Sequence, residues 1–382
     1  MISIRCSNCG KPYPQDGAPE RCINCGGIYD LVELPLTLSR DGGVLSNGIW
    51  NYLRWDAFDQ QEHFLTLGEG LTPLVWSSIA GEQGEIEVGF KCEYLNPTGS
   101  FKDRGSAACV QFLLSRGIQT VYEDSSGNAG ASLAAYAARA GLEAHIYVPA
   151  SASGVKKEQM LKMGAQLHAV QGARSTVTEV LLRELKAQNS PTICYASHAA
   201  MPFNLVGYAT LAVELFEQIG TVPGSILLPA GQGGLLLGIA LGFEWLKRQG
   251  KIESLPRIYG VQARACAPLW AVSMYGAAGL SWVSEGETIA EGIRIKYPLR
   301  GDSVLRAVEQ SGGAFFVVDE EEILTGLKTA AEKGFFIEAT SAVVFAALSQ
   351  NAHSLKQPIL AILTGSGYKS MERYGAQFTN KG

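Results

Sequence analysis

The sequence lacks a basic surplus, a leader-type apolar segment and a long uncharged apolar run. Its formal net charge is -5, from 31 Lys and Arg against 36 Asp and Glu, and no basic block forms a nucleic-acid footprint. The N-terminus, MISIRCSNCG, has no apolar core of the signal-peptide type, and no stretch approaches the roughly eighteen uncharged apolar residues of a membrane span. We therefore expect a cytoplasmic protein that binds neither nucleic acid nor membrane.

Internal repeats and low-complexity segments are also absent, whereas apolar residues are plentiful. The chain is 47% hydrophobic and 18% charged, a composition that excludes a disordered chain. Its length of 382 residues exceeds what one hydrophobic core usually serves. From about Val88 onward, β-branched runs alternate with helical patterns. This alternation predicts an α/β fold of two subdomains with mostly parallel sheets, whose ligands collect at the carboxyl ends of the strands. The predicted elements are strands at 120–122, 144–148, 166–170, 192–195, 225–228, 257–261 and 358–363, and helices at 129–140, 175–186, 205–219 and 235–247.

Four of the eight cysteines form two C-x-x-C pairs near the N-terminus. Cys6 and Cys9 make the first pair and Cys22 and Cys25 the second, with a glycine after each pair and twelve residues between the pairs. Two such knuckles can offer four thiolates to one tetrahedral zinc, which leaves no open position and so predicts a structural site. Two disulfides are the alternative, which a cytoplasmic setting disfavours. The other cysteines are expected to be core thiols: Cys92, Cys109, Cys194 and Cys266.

The stretch NPTGSFKDRG places Lys102 between a tight turn and the start of a helix. Pro97 and Gly99 bend the chain after the apolar, strand-like run 88–94, and Asp103 opens the helix. A lysine held against backbone loses hydration, which disfavours its charged form, and a neutral amine can attack a carbonyl to make a Schiff base. Taken alone, the stretch favours a surface lysine that opens a helix.

Three further loops follow predicted strands. The loop EDSSGNAG opens a helix, so its N–H groups can face an anion while Asn128 offers a donor and an acceptor. The loop PAGQGGLL, at 229–236, lets backbone approach a phosphate at a helix N-terminus. The loop LTGSGYK carries hydroxyls at Thr364 and Ser366. Together with Lys102, these loops supply an amine, a ring-hydroxyl partner, a phosphate cradle and a ring-nitrogen partner, the contacts that pyridoxal phosphate requires.

The runs EYLNPTGSFKDRG, SSGNAGASLAAYAARAGL, PAGQGGLLLGIALGF and ILTGSGYK resemble threonine synthase and its relatives among the pyridoxal-phosphate enzymes of the tryptophan synthase β-like fold. The resemblance runs in order from about Leu67 to Lys369, and cysteine knuckles also occur in many members. We therefore expect a zinc-ribbon-like segment at 1–34 and a catalytic domain at 35–382, with a smaller mobile subdomain at roughly 103–205. We also expect a homodimer that acts on a small amino acid.

The resemblance also implies a role for individual residues. Lys102 would carry the cofactor as a Schiff base and act as general base, and Asn128 would bond the cofactor's 3′-oxygen. Thr364 would face the pyridine nitrogen, with Ser366 as the second candidate. The phosphate would be held by Gly231, Gln232, Gly233, Gly234 and Leu235. The substrate would be held by Ser100, Ser125, Ser126, Gly127 and Asn128.

The sequence departs from the family in one run. Threonine synthases usually carry an Asn-Pro-x-Arg-x-Glu-Gly segment, whereas this chain has AMPFNLVGY, with Met201, Asn204 and Val206 at the asparagine, arginine and glutamate positions. A lost arginine removes a charge-assisted phosphate contact. Three hypotheses stay open: conversion of O-phosphohomoserine to threonine and phosphate; a β-eliminating or β-replacing enzyme of the threonine deaminase, serine deaminase or cysteate synthase type; and a non-enzymatic binding protein. The retained Lys102 argues against the third.

Overall fold

The computed structural model describes residues 2–38, 45–54, 64–81, 84–152, 154–172, 174–188 and 190–373. Within those residues the chain alternates strands and helices through most of its length. The strands are β1 (Ser3–Cys6), β2 (Tyr29–Glu33), β3 (Leu74–Gly81), β4 (Gly84–Lys91), β5 (Thr120–Glu123), β6 (Glu143–Pro149), β7 (Gln166–Val170), β8 (Ile193–Tyr195), β9 (Ser225–Pro229), β10 (Arg257–Ala263), β11 (Ala314–Val318) and β12 (Ile359–Ile362). The α-helices are α1 (Lys102–Ser115), α2 (Asn128–Ala140), α3 (Val155–Lys162), α4 (Arg174–Gln188), α5 (Phe203–Ile219), α6 (Gly234–Arg248), α7 (Pro268–Tyr275), α8 (Gly301–Gln310), α9 (Glu320–Glu332) and α10 (Ala339–Asn351).

The chain divides into two compact units. The first comprises Met1–Leu71, Asn96–Thr98 and Lys102–Leu211, and the second comprises Thr72–Leu95, Gly99–Phe101 and Ala212–Gly382. Each unit has a sheet of its own, so a single central sheet does not serve the whole chain. This agrees with the expectation of two α/β subdomains with mostly parallel sheets.

The sheet of the first unit has the strand order β7-β6-β5-β8, and all its neighbours are parallel. Parallel strands need crossover helices, and the helical patterns between these strands provide them. A smaller antiparallel pair, β1 with β2, belongs to the N-terminal segment of the same unit. Tyr122, Val177 and Leu181 contribute to the apolar core on one face of the four-stranded sheet.

The sheet of the second unit has the order β11-β10-β9-β12-β4-β3. Only the edge strand β3 runs antiparallel to its neighbour. The central strands β9 and β12 are buried along their whole length, in keeping with continuous apolar runs in a sheet covered on both faces. The sequence patterns predicted both of these strands, but they predicted neither β3 nor β11, which lie at the two edges.

A buried ion pair lies within the second unit. The ammonium of Lys91, at the end of β4, pairs with the carboxylate of Glu214 on α5, and both side chains have zero exposure. Lys91 Nζ also donates to the carbonyl oxygen of Thr72 at 2.6 Å and to Gln218 Oε1 at 2.8 Å. A buried ammonium is tolerated because each of its protons has an acceptor. Among the described helices, none is long and apolar enough to span a bilayer.

Glu214→Leu should lower the free energy of unfolding by about 3–5 kcal/mol, because it leaves the Lys91 charge buried without its counter-ion. The double variant with Lys91→Met should recover most of that loss. Glu332→Ala is the control, since its pair with Lys328 is exposed and should contribute under about 1 kcal/mol. Denaturant unfolding measures all four proteins. Equal stabilities for Glu214→Leu and Glu332→Ala would contradict the stabilising role of the buried pair between Lys91 and Glu214.

Candidate active site and cysteine cluster

Lys102 is the first residue of α1 and is partly exposed. The strand before it ends sooner than the sequence pattern predicted, at Lys91 instead of Tyr94, because residues 93–95 leave the ladder as a short 3-10 turn. The tight turn that follows contains Gly99, whose φ of 85° favours glycine. The predicted sequence of strand, turn, lysine and helix is therefore present, with a short additional turn.

Tyr208 is a neighbour of Lys102 that the sequence analysis did not single out. The Lys102 Nζ lies 6.0 Å from the centroid of the Tyr208 ring, at the outer limit of a cation–π contact. A Cβ at Gly105 would lie 2.6 Å from this ring, so glycine is required for the ring to pack beside α1. Burial raises the pKa of Tyr208 well above its ordinary range, and the phenol stays protonated at neutral pH.

The loop Ser125–Asn128 also belongs to the first unit and leads directly into α2, which begins at Asn128. Ser125 is buried and accepts the N–H of Gly127 on its Oγ at 3.3 Å, whereas 126–128 are partly exposed. A Cβ at Gly130 would lie 2.0 Å from the Ser125 carbonyl oxygen, so this position requires glycine. The loop thus presents partly exposed N–H groups and the Asn128 amide at a helix N-terminus, as expected from the sequence.

In the second unit, three loops follow neighbouring parallel strands. The strand β12 pairs in parallel with both β4 and β9, so the carboxyl ends of the three strands share one edge of the sheet. The loops that begin at this edge contain Ser100, residues 231–233 and residues 364–366, and Gly234 and Leu235 open the helix after the second loop. Tertiary structure therefore brings together the second-unit candidates, which lie more than a hundred residues apart in the sequence.

The glycine loop after β9 leads into α6, which begins at Gly234. The N–H groups of the first helical turn have no acceptor inside their own helix and can bind an anion. Gly233 has a φ of 78° and a Cβ there would lie 2.4 Å from Val304, so packing alone accounts for this glycine. Gln232 accepts the N–H of Leu299 on its side-chain oxygen at 3.0 Å, so its side chain holds the loop in place.

Thr364 is buried at the end of β12 and its hydroxyl lies 2.9 Å from that of Ser341 on α10. Ser341 Oγ accepts the N–H of Gly365 at 2.9 Å. No sequence motif singles out Ser341, since the run ATSAVV is an unremarkable helix start. Ser366 is also buried, and its backbone N–H donates to Gly99.

Ser100 is fully buried, and no hydrogen-bond partner for its Oγ is found among the described residues. Its backbone forms an isolated bridge with Gly365. A buried hydroxyl without a partner costs free energy unless a bound group satisfies it. This orphaned hydroxyl therefore fits a polar ligand at the shared edge.

The four N-terminal cysteines converge as predicted. Their sulfur atoms all lie within 4.8 Å of one another, with 3.5 Å between Cys6 and Cys25 and 3.6 Å between Cys9 and Cys22. The glycine after each pair has a φ of 71° and donates its N–H back to the first cysteine of the pair. The N–H of Gly27 lowers the pKa of the Cys25 thiol, whereas desolvation raises that of Cys6 to about 11. The other four cysteines are buried, as expected for core thiols.

A family model described as pyridoxal-phosphate dependent enzyme matches residues 65–365. The chain belongs to this family. It is 32% identical to the threonine synthase of Methanocaldococcus jannaschii over 378 residues, which cover 96% of this chain and 92% of that protein. It is 35% identical to the threonine synthase of Mycobacterium tuberculosis strain H37Rv over 311 residues, 80% of this chain and 83% of that protein.

Solved structures of the pyridoxal-phosphate enzymes share the fold. A pyridoxal 5′-phosphate-dependent aspartate racemase has a TM-score of 0.66 at 24% identity, covering 77% of this chain and 90% of its own. A threonine deaminase has a TM-score of 0.63 at 23% identity, covering 77% of this chain and 92% of its own. The predicted tryptophan synthase β-like fold is thereby confirmed. The donor set of the described residues also fits the cofactor, since Lys102 stands at a helix start in the first unit and a glycine-rich loop leads into a helix N-terminus in the second.

Gly130→Ala should lower the free energy of unfolding by about 1–3 kcal/mol, because the new methyl group overlaps the Ser125 carbonyl oxygen, and backbone cannot move cheaply. Gly127→Ala is the matched control: its Cβ would lie 3.7 Å from the nearest atom, and the loss of an N-cap glycine should cost under about 1 kcal/mol. Chemical denaturation separates the two. A Gly130→Ala protein as stable as Gly127→Ala would show that the loop geometry is wrong.

Proposed function

We propose that this pyridoxal-phosphate enzyme is a lyase that converts O-phosphohomoserine and water to threonine and phosphate. The observation that carries the proposal is similarity to threonine synthases along 96% of the chain, with Lys102 retained at the start of α1. In the overall reaction the Cγ–O bond breaks and phosphate leaves, Cβ loses one proton while Cγ gains one and becomes the methyl group, and water adds its hydroxyl to Cβ. The homodimer, the cytoplasmic location and the mobility of 103–205 stay predictions.

The proposed roles of the first unit are proton transfer and substrate binding. Pyridoxal phosphate, when bound, supplies an electron sink for negative charge at the substrate's α-carbon. The Lys102 amine would hold the cofactor and would take and return protons as general base. Ser126 and Asn128 would offer donors to a substrate carboxylate, and Ser125 would hold the loop by accepting the N–H of Gly127. Asn128 is also the proposed donor to the cofactor's ring oxygen.

The proposed roles of the second unit are cofactor binding and control of ring protonation. The N–H groups at Gly231–Leu235 would hold the phosphate, since a helix N-terminus stabilises an anion. Thr364 would face the ring nitrogen with a neutral hydroxyl, Ser366 being the second candidate. A neutral hydroxyl, unlike a carboxylate, does not favour a fully protonated ring, which suits elimination. Ser100 would donate its hydroxyl to the substrate.

A second candidate is a β-eliminating or β-replacing reaction on a hydroxy- or phospho-amino acid. It is favoured by the local structure at the altered run. Asn204 is buried and its side-chain amide donates to the Met201 carbonyl oxygen at 3.4 Å, while Val206 is fully buried and apolar. None of these side chains is a cation, so this run cannot supply the charge-assisted phosphate contact of an arginine.

A substrate panel separates the two reactions. We expect the protein to release phosphate and threonine in equal amounts from O-phosphohomoserine. Lys102→Ala should lose the visible absorbance of lysine-bound cofactor and reduce turnover by at least about 100-fold, because the general base is gone. Threonine, serine and O-phosphoserine should give little keto acid and ammonia. Keto acid and ammonia without threonine would support the second candidate, and an unchanged Lys102→Ala protein would rule out its role.

We also propose that the cysteine cluster of Cys6, Cys9, Cys22 and Cys25 binds one structural zinc. A tetrahedral site with zinc–sulfur distances of about 2.3 Å places its sulfur atoms about 3.8 Å apart, close to the separations of 3.5 and 3.6 Å here. The loop between the pairs packs within the first unit. There the Tyr13 ring contacts those of Phe112 and Phe203.

Purified protein should therefore contain about one zinc per chain, measured by elemental analysis. Cys9→Ser should lower the zinc content and destabilise the N-terminal segment without directly abolishing cofactor binding, since the cluster contains no proposed cofactor ligand. Cys266→Ala, which removes a buried thiol outside the cluster, should keep the metal. Metal-free protein with four reactive N-terminal thiols would count against the site.

A further inference from the structure

Asp103 is a fully buried carboxylate directly after Lys102, and none of the roles above uses it. Its Oδ2 accepts the backbone N–H of Thr98 at 2.7 Å. Its Oδ1 accepts the hydroxyl of Thr98 and lies 2.6 Å from Ser132 Oγ. Asp103 therefore ties the turn before Lys102 to the first turn of α1, and it also reaches a second helix.

The direction of the hydroxyl protons follows from the chemistry of the groups. Ser132 Oγ lies 2.6 Å from Asp103 Oδ1 and 2.7 Å from Ser106 Oγ. A carboxylate only accepts hydrogen bonds, and a serine has a single hydroxyl proton. Ser132 therefore donates to Asp103, and Ser106 donates to Ser132. The bond between Ser132 and the carboxylate is short and charge-assisted, which makes it the strong link of this chain.

The link joins the starts of two helices that carry proposed cofactor ligands. Asp103 is the second residue of α1, next to Lys102, and Ser132 lies one helical turn after Asn128 on α2. Four residues of helix span about 6 Å, so the bond lies close to both helix starts. A shift of α1 against α2 would have to break it.

We propose that Asp103 is a positioning residue that holds the start of α1 at a fixed distance from the start of α2, so that Lys102 and Asn128 meet the same cofactor. This role rests on the proposed cofactor contacts of those two residues. The positioning role differs from simple capping of α1, because the two hydrogen bonds from Thr98 to Asp103 would be enough to fix the start of that helix. The hydrogen bond to Ser132 is the part that only a positioning role requires.

Ser132→Ala tests the link, because it breaks the contact between the helices and leaves the two Thr98 bonds to Asp103 in place. We expect a shifted visible absorbance of the bound cofactor and release of pyridoxal phosphate about tenfold faster, the effect of losing one charge-assisted hydrogen bond. Ser106→Ala is the matched control, since it removes a neighbouring buried hydroxyl whose bond is to Ser132 and leaves the bond from Ser132 to Asp103 in place. It should resemble the unaltered protein in both measurements. Asp103→Asn should shift the absorbance and speed the release more than Ser132→Ala, because the single oxygen of an amide can accept either the Thr98 N–H or the two hydroxyl protons, but not all three.

Equal cofactor spectra and release rates for Ser132→Ala and Ser106→Ala, with only the unfolding temperature lowered, would overturn the positioning role and leave a packing role. Cofactor absorbance and release do not depend on which amino acid is the substrate. A protein that forms no threonine but responds to Ser132→Ala as expected would therefore uphold the positioning role and overturn the proposed reaction.

Discussion

A helix that begins directly after a buried parallel strand places its unsatisfied N–H groups at the carboxyl edge of the sheet. This constraint recurs in each unit, at α2 after β5 and at α6 after β9. In water such groups are solvated, but beside a sheet edge they form a site with a preference for anions. A carboxylate and a phosphate are both anions, so one backbone arrangement serves the proposed substrate and the proposed cofactor.

Close packing decides which residues can form these loops. At Gly130 and Gly233 a methyl group would overlap neighbouring atoms, so glycine is required by the fold whether or not a ligand binds. Glycine-rich loops are therefore weak evidence of function by themselves. In this chain the loops gain weight from their shared edge in the second unit, from Lys102 and from the orphaned Ser100 hydroxyl.

The buried polar groups differ from the apolar core in the specificity of their contacts. Lys91 with Glu214, and Asp103 with Thr98 and Ser132, are satisfied by specific partners at defined distances. Apolar contacts tolerate small shifts, whereas a buried charge loses much of its stabilisation when a partner moves. Such groups are suited to fixing the separation of the elements that carry them, here β4 from α5 and α1 from α2.

The sequence by itself determined the order of elements and the local chemistry. Buried strands such as β9 and β12 follow from continuous apolar runs, the cysteine knuckles follow from their spacing, and the position of Lys102 at a helix start follows from the turn residues around it. These features depend on neighbours within a few residues along the chain. The edge strands β3 and β11 escaped prediction: two serines interrupt the apolar run of β3, and the short apolar run AFFVV of β11 does not by itself distinguish a strand from a buried helix segment. Only the tertiary structure paired Asp103 with Ser132, Thr364 with Ser341 and Gly105 with Tyr208. Those contacts join residues 23 to 103 positions apart, and no local pattern encodes which buried polar group will meet which.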